Sequence, residues 1–192
     1  MNAFQERLLF LYKFSRAPKQ IGSFTPSSVF LAKKMVAPIP WNQVKYVAEL
    51  GAGTGAITKH IGRLKNHDAR VLVFEKDPHL RERLADRFTS FTYHADACKL
   101  QSVMHSEGIE QLDCVLSGLP FFNFPQQLRD QLMNQILVSL KPGGLFVAFQ
   151  YSQQMKKQLS QLFELEDIQF SPLNLPPAFV YICRKREKEN SS

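Results

Sequence analysis

The segment Val47-Ala48-Glu49-Leu50-Gly51-Ala52-Gly53-Thr54-Gly55 limits what this chain can fold into more than any other. A short apolar run, Tyr46–Leu50, ends in three alternate glycines, and residues with helical spacing follow over 54–64. Glycines at 51, 53 and 55 permit a tight strand-to-helix turn and let a ligand approach the backbone where side chains would block it. The next apolar run, 71–74, is continuous, β-branched and aromatic, which marks a strand buried on both faces. Glu75 ends it, 20 residues beyond Gly55. A carboxylate there is placed to accept hydrogen bonds from ribose hydroxyls in a doubly wound fold.

The alternation of strand and helix continues through the chain. The pattern predicts helices near 79–88, 100–105 and 128–140, and strands near 92–94, 114–117 and 145–150. Lys141-Pro142-Gly143-Gly144 should close the third of these helices. The last two strands, 163–170 and 179–184, flank a Pro-rich connection without a helix and should pair antiparallel. The expected fold is therefore α/β, a doubly wound Rossmann-like and mostly parallel sheet with an antiparallel C-terminal hairpin. At 192 residues, one domain spanning 1–192 is expected. No apolar run approaches the ~20 residues of a membrane span, and no signal peptide follows Met1. Three cysteines without a CxxC pair and five histidines without ligand spacing give no disulfide framework and no metal site. Reduced thiols of this kind suit the cytoplasm.

The glycine loop reads GxGxG, not GxGxxG, and Glu49 beside it would repel a pyrophosphate. A ligand carrying an ammonium and a sulfonium would instead be helped by that acid. The loop resembles motif I of the class I S-adenosylmethionine-dependent methyltransferases. That resemblance implies S-adenosylmethionine as cofactor, with Glu75 as the ribose-binding acid and Lys76 beside it. Asp96 in His94-Ala95-Asp96-Ala97 then matches the acid that contacts the adenine amino group, with Ala97 next to it. Cofactor contacts are expected from Ser23, Thr25, Glu49, Gly51, Ala52, Gly53, Gly55, Glu75, Lys76, Asp96, Ala97 and Ser117. Read without the resemblance, Gly51–Gly55 is a tight turn, Glu75 a solvated strand end and Asp96 a helix cap.

Ser117-Gly118-Leu119-Pro120-Phe121-Phe122 follows the fourth strand, where amino-group methyltransferases place a polar-Pro-aromatic substrate loop. Adenine dimethyltransferases normally carry Asn where this chain has Gly118. Gln20-Ile21-Gly22-Ser23-Phe24-Thr25-Pro26-Ser27-Ser28, Gln150-Tyr151 and Asn174-Leu175-Pro176-Pro177-Ala178-Phe179-Val180-Tyr181 complete a second resemblance, to the bacterial-type phospholipid N-methyltransferases. It implies methylation of the headgroup amine of phosphatidylethanolamine toward phosphatidylcholine. Gly118, Leu119, Pro120, Phe121 and Asn174 would then bind the substrate, and Tyr151 or Tyr181 would orient the amine or help accept its proton. The rival expectation is an RNA adenine N6-methyltransferase, and a third is a membrane-peripheral protein that binds the cofactor without turnover.

The formal net charge of +7 sits at the two ends. Arg7, Lys13, Arg16, Lys19, Lys33 and Lys34 face only Glu6 in the first forty residues, while 41–183 is neutral. Phe4, Leu8, Leu11 and Tyr12 recur at helical spacing among the first of these bases, predicting a basic amphipathic helix over about 3–16. Such a helix suits the interface of an anionic bilayer, or it closes the cofactor site as a lid. The expected location is cytoplasmic and peripheral, at the inner face of the cytoplasmic membrane.

Overall fold

The computed structural model describes residues 26–187, so the expected N-terminal helix lies outside the described residues. Seven strands form one sheet: β1 (Tyr46–Leu50), β2 (Arg70–Phe74), β3 (Thr92–His94), β4 (Leu112–Ser117), β5 (Leu140–Gln150), β6 (Glu164–Ser171) and β7 (Ala178–Arg184). Their order is β3-β2-β1-β4-β5-β7-β6. The first five are mutually parallel, and β7 runs antiparallel to both β5 and β6. This is the doubly wound sheet with a C-terminal hairpin that the sequence pattern predicts.

Alternation along each strand sends apolar side chains to two helical layers. Val47, Val71, Val73, Cys114, Leu116, Leu145 and Val147 pack beneath α1 (Pro26–Val36), α2 (Ala56–Leu64) and α3 (Pro78–Arg87). Ala48, Leu50, Leu72, Phe74, Val115 and Phe146 face α4 (Leu100–Ser106), α5 (Gln126–Ser139) and α6 (Lys156–Leu162). Helix starts follow local chemistry. Pro78 opens α3 behind Asp77, whose carboxylate accepts from the Leu80 N–H at 3.0 Å.

Two features differ from expectation. Helices α1 and α6 were hidden in stretches whose Pro-Ser and Gln-Lys composition gives a weak apolar period. Lys141–Gly144 begins β5 instead of closing the preceding helix. Leu112 pairs with Leu140 and Cys114 already with Leu145, so the Pro-Gly-Gly segment bulges out of the ladder, with Gly143 at φ 71°. Asp113 anchors that bulge. Its carboxylate accepts from the Lys45 and Tyr46 N–H groups at 2.8 and 2.9 Å and pairs with Lys141.

Burial opposes the charge on Asp113, but the Lys141 ammonium and the two backbone donors outweigh it and hold the carboxyl below its usual range. Asp113→Ala is expected to lower stability at pH 7 by about 1–2 kcal/mol, by removing the acceptor shared by the Lys45 and Tyr46 N–H groups and the partner of Lys141. A depressed pKa contributes stability above the unfolded value that is lost as pH falls through the folded one. Urea unfolding from pH 7 down to acid should therefore show the gap between variant and wild type narrowing below about pH 4.

Candidate active site

The chain leaves β1 toward β2 and β3 on one side and resumes with β4 on the other, which opens a crevice at the carboxyl ends of β1 and β4. The turn after β1 fills its floor. Gly51 and Ala52 donate their N–H groups to the Phe74 carbonyl at 2.8 and 3.1 Å, tying the loop to β2. Gly51, Gly53 and Gly55 all have positive φ, at 75°, 56° and 87°. A Cβ on Gly51 would lie 2.8 Å from Leu119 Cδ2, and one on Gly55 2.5 Å from Leu84 Cδ2. A Cβ on Gly53 would meet no atom within 4 Å, so that side of the loop is open to a ligand.

Glu75 is 4% exposed and holds this loop from the end of β2. Its Oε2 accepts from Gly53 N–H at 2.7 Å and its Oε1 from Asp77 N–H at 2.9 Å. A carboxylate offers about four acceptor positions, so both oxygens retain capacity for a ribose diol. The residue does two jobs that the sequence shows as one: it orders the glycine loop and it presents acceptors beside it.

Glu49 is the electrostatic anomaly. It projects from β1 toward α2, is fully buried, and neither carboxylate oxygen has a hydrogen-bond partner among the described residues. Burial pushes its pKa up to about 8, against the influence of Thr58 on α2, while Glu75 raises it further. The Thr58 hydroxyl and N–H lie close enough to favour the charged form, but the buried hydroxyl makes no well-formed hydrogen bond among the described residues. An unpaired buried carboxyl costs stability unless a ligand completes it. A cationic ligand above an open glycine turn, with hydroxyls reaching Glu75, satisfies both sets of atoms; S-adenosylmethionine has that chemistry.

The loop after β4 closes the crevice. Gly118 N–H donates to the Leu50 carbonyl at 2.8 Å, and a Cβ on Gly118 would sit 2.8 Å from the Gly51 carbonyl oxygen. Glycine is therefore required by the contact between the two loops, and an Asn at this position would force them apart. Ser117 Oγ is buried and accepts from Leu119 N–H at 3.2 Å. Gln150, at the end of β5, donates to the Leu119 carbonyl at 2.9 Å and so fixes the loop. Sequence reasoning left Gln150 out of the site; a polar residue ending the apolar run 145–149 was the available signal.

The other expected site residues divide. Asp96 is exposed at the end of β3, where it caps the short turn Ala97–Lys99 by accepting from Cys98 N–H at 2.9 Å, with Ala97 half-buried beside it. Lys76 is exposed next to Glu75. Tyr151 is half-buried, edge-on to Phe149 at 5.6 Å, and burial raises its pKa. Pro120 opens the short turn Phe121–Asn123. Three assignments change. Tyr181 is a core residue whose hydroxyl donates to the Ser152 carbonyl at 3.0 Å, because its position on β7 faces the layer of α5 and α6. Phe121 turns inward, edge-on to Phe124 and Phe146, and does not shape a pocket. Asn174 is buried and spends its amide on the Pro176 carbonyl at 2.7 Å, within its own turn. Ser23 and Thr25 lie outside the described residues.

A doubly wound sheet with this strand order, a glycine turn after β1 and acids ending β1, β2 and β3 defines a nucleoside-binding transferase of the methyltransferase class. Residues 48–148 match the family model described as a methyltransferase domain. The ornithine lipid N-methyltransferase of Singulisphaera acidiphila is 39% identical over 181 residues, covering 92% of this chain and 94% of that protein. Among solved structures, the N-methyltransferase NodS from Bradyrhizobium japonicum WM9, in complex with S-adenosyl-L-homocysteine, superposes with TM-score 0.71 at 12% identity, covering 93% of this chain and 98% of NodS. A Burkholderia thailandensis 1,6-didemethyltoxoflavin-N1-methyltransferase, also with S-adenosylhomocysteine bound, gives TM-score 0.67 at 16% identity, covering 97% and 92%. The chain belongs to the S-adenosylmethionine-dependent methyltransferases and is related to bacterial lipid N-methyltransferases. Among the described residues no cluster of His, Cys, Asp and Glu has the arrangement of a metal site.

Two measurements probe the cofactor site. Glu75→Ala should weaken S-adenosylhomocysteine binding in calorimetry by roughly 2–4 kcal/mol, since it removes charge-assisted acceptors and the tether of Gly53. Unchanged affinity in a folded variant would remove Glu75 from the site. Glu49 predicts a pH effect. Its raised pKa means that the cofactor-free fold keeps a proton that the unfolded chain releases, so stability falls as pH rises from about 4.5 to about 8. The slope reaches about 1.4 kcal/mol per pH unit, and Glu49→Gln should flatten it in thermal melts across that range.

Proposed function

We propose that the protein transfers methyl groups from S-adenosylmethionine to the primary amine of a membrane-lipid headgroup, with phosphatidylethanolamine as the acceptor. The observation that carries this reading is the packing of Gly118 on the Gly51 carbonyl. The loop facing the acceptor has no side chain at the position where an adenine enzyme offers an Asn amide. Only main-chain oxygens remain there, which suits a small flexible amine better than the edge of a flipped base. The named substrate of the Singulisphaera relative, an ornithine lipid, supports a lipid acceptor and marks a second headgroup amine to be tested beside the first.

The bound cofactor supplies an electrophilic methyl on a sulfonium sulfur. The chain's contribution is position and exclusion of water. Gly51–Gly55 and Glu75 order the cradle, Glu49 supplies negative charge beneath it, and Ser117, Gly118 and Gln150 fix the loop that faces the amine. The Leu119 carbonyl is already occupied by the Gln150 amide and by Phe121 N–H at 2.9 Å. The Gly118 carbonyl accepts no hydrogen bond among the described residues, and it is the acceptor that would hold the amine in line. Burial keeps the Tyr151 phenol protonated, so Tyr151 is the side chain proposed to orient the amine, whose proton is lost to solvent before transfer. The basic segment over residues 3–16 is proposed to seat the enzyme on an anionic membrane surface.

Labelled cofactor offered with phosphatidylethanolamine vesicles, ornithine-lipid vesicles and unmodified ribosomal RNA tests the reading directly. Label is expected in phosphatidylethanolamine and absent from RNA. Label in the ornithine lipid alone would move the acceptor to that headgroup, and label in RNA alone would overturn the lipid reading. Tyr151→Phe should lower turnover by about tenfold or more without changing S-adenosylhomocysteine affinity, as expected of a group that orients the amine.

A further inference from the structure

The connection between β6 and β7 carries a surface feature that cofactor binding does not use. Phe179 pairs with Gln150 and Ala178 with Ser171, so residues 172–177 lie past the carboxyl end of β5, on the edge of the sheet that holds the glycine turn and the Gly118 loop. Leu173 and Leu175 are 65% and 81% exposed there, and Phe170 beside them is 50% exposed. No Asp, Glu, Lys or Arg occurs from Ile168 to Cys183.

This exposure is built into the turn. Asn174, between the two leucines, points inward and donates to the Pro176 carbonyl at 2.7 Å, while Ser171 is buried at its base. Pro172, Pro176 and Pro177 restrict the backbone on both sides. Turning Asn174 in turns its neighbours out. A turn that buries its amide and shows water its leucines is organised for an apolar surface. Helix α1, packed against β6 and β7, adds exposed Phe30 and carries Lys33 and Lys34 with no acid.

We propose that the turn 172–177 is a membrane-seating lip, in which Leu173 and Leu175 enter the acyl boundary of a lipid bilayer beside the active-site edge. The proposal rests on the lipid-acceptor reading. Drawing a two-chain lipid out of its bilayer exposes every methylene of both chains to water. The sheet edge must therefore come down to the headgroups, and an uncharged lip with two exposed leucines at that edge matches the hydrocarbon beneath them.

The test is flotation of the full chain with vesicles of phosphatidylethanolamine and phosphatidylglycerol, which reads binding without turnover. Leu173→Asp combined with Leu175→Asp should reduce vesicle partitioning by at least about tenfold, with S-adenosylhomocysteine affinity unchanged. Val138→Asp, an equally apolar exposed site on α5 at the opposite end of the strands, should partition like wild type. Equal flotation of the double variant and wild type would overturn the lip. So would an equal loss from Val138→Asp, or a wild-type dimer that the double variant dissociates while vesicle binding stays constant. Should the double variant fail to fold, Leu175→Trp supplies the reading: bromine-labelled acyl chains are expected to quench it, and quenching no greater than that of the native Trp41 refutes insertion. If wild type floats through the lip yet labels no lipid, the acceptor assignment fails and the docking surface stands.

Discussion

The contact between two turns, after β1 and after β4, sets the geometry on which the rest of the site depends. Gly118 donates to Leu50 at 2.8 Å, and its missing side chain lets it rest against the Gly51 carbonyl. Gly51 in turn has no room for a Cβ because Leu119 occupies that space. Each loop is thus the wall of the other. Parallel pairing of Leu50 with Ser117 brings the two turns level, and Gln150 on β5 braces the second from behind. A doubly wound sheet always opens a crevice at this switch point. Here the pair of glycines decides how narrow it is and which atoms line it.

The same constraint connects cofactor and acceptor. Glu75 grips Gly53 while its remaining acceptor capacity faces the crevice, so a ligand that engages Glu75 also steadies the turn that walls off Gly118. Among the described residues, the buried polar atoms left unsatisfied are unevenly distributed: Glu49 and Thr58 lie together beneath the glycine turn, and His94 Nε2 lies at the end of β3. Arg129 Nε and Ser139 Oγ, the other two, belong to α5. Unsatisfied groups cost stability wherever they occur, and their concentration under one turn is the mark of a site held ready for a polar ligand.

What could be read in the sequence follows from the reach of each signal. Short continuous apolar runs and Gly-x-Gly spacing are local and backbone-driven, so β1, β2, the glycine turn and the antiparallel hairpin were legible. Side-chain direction is not local. Tyr181, Phe121 and Asn174 carry the right chemistry at promising positions, yet strand parity sends Tyr181 to the core, the short turn after Pro120 rolls Phe121 under Phe146, and Asn174 closes its own turn. Gln150 shows the converse, a residue whose place in the site depends on a partner 31 residues away in sequence. Helix α1 and the bulge at Lys141–Gly144 likewise depend on contacts distant in sequence, with α2 and with Asp113.

Glu49 carries the argument furthest, because its energetics couple folding to ligand charge. Thr58 faces it from α2, Glu75 from the end of β2 and Tyr93 from β3, where burial first and the Glu49 charge second push the tyrosine up to about 12. None of these neighbours supplies a positive charge. Keeping Glu49 neutral near pH 7 relieves the cofactor-free fold, whereas an arriving cation favours the ionised carboxylate. By linkage, a ligand that binds the ionised form releases a proton and binds more tightly as pH approaches about 8. After the methyl leaves, the product lacks the sulfonium charge and retains only the ammonium. With Glu49 in the cofactor role proposed for it, part of the attraction to this buried acid would then disappear, and the residue that draws the charged cofactor in would hold the spent one less firmly.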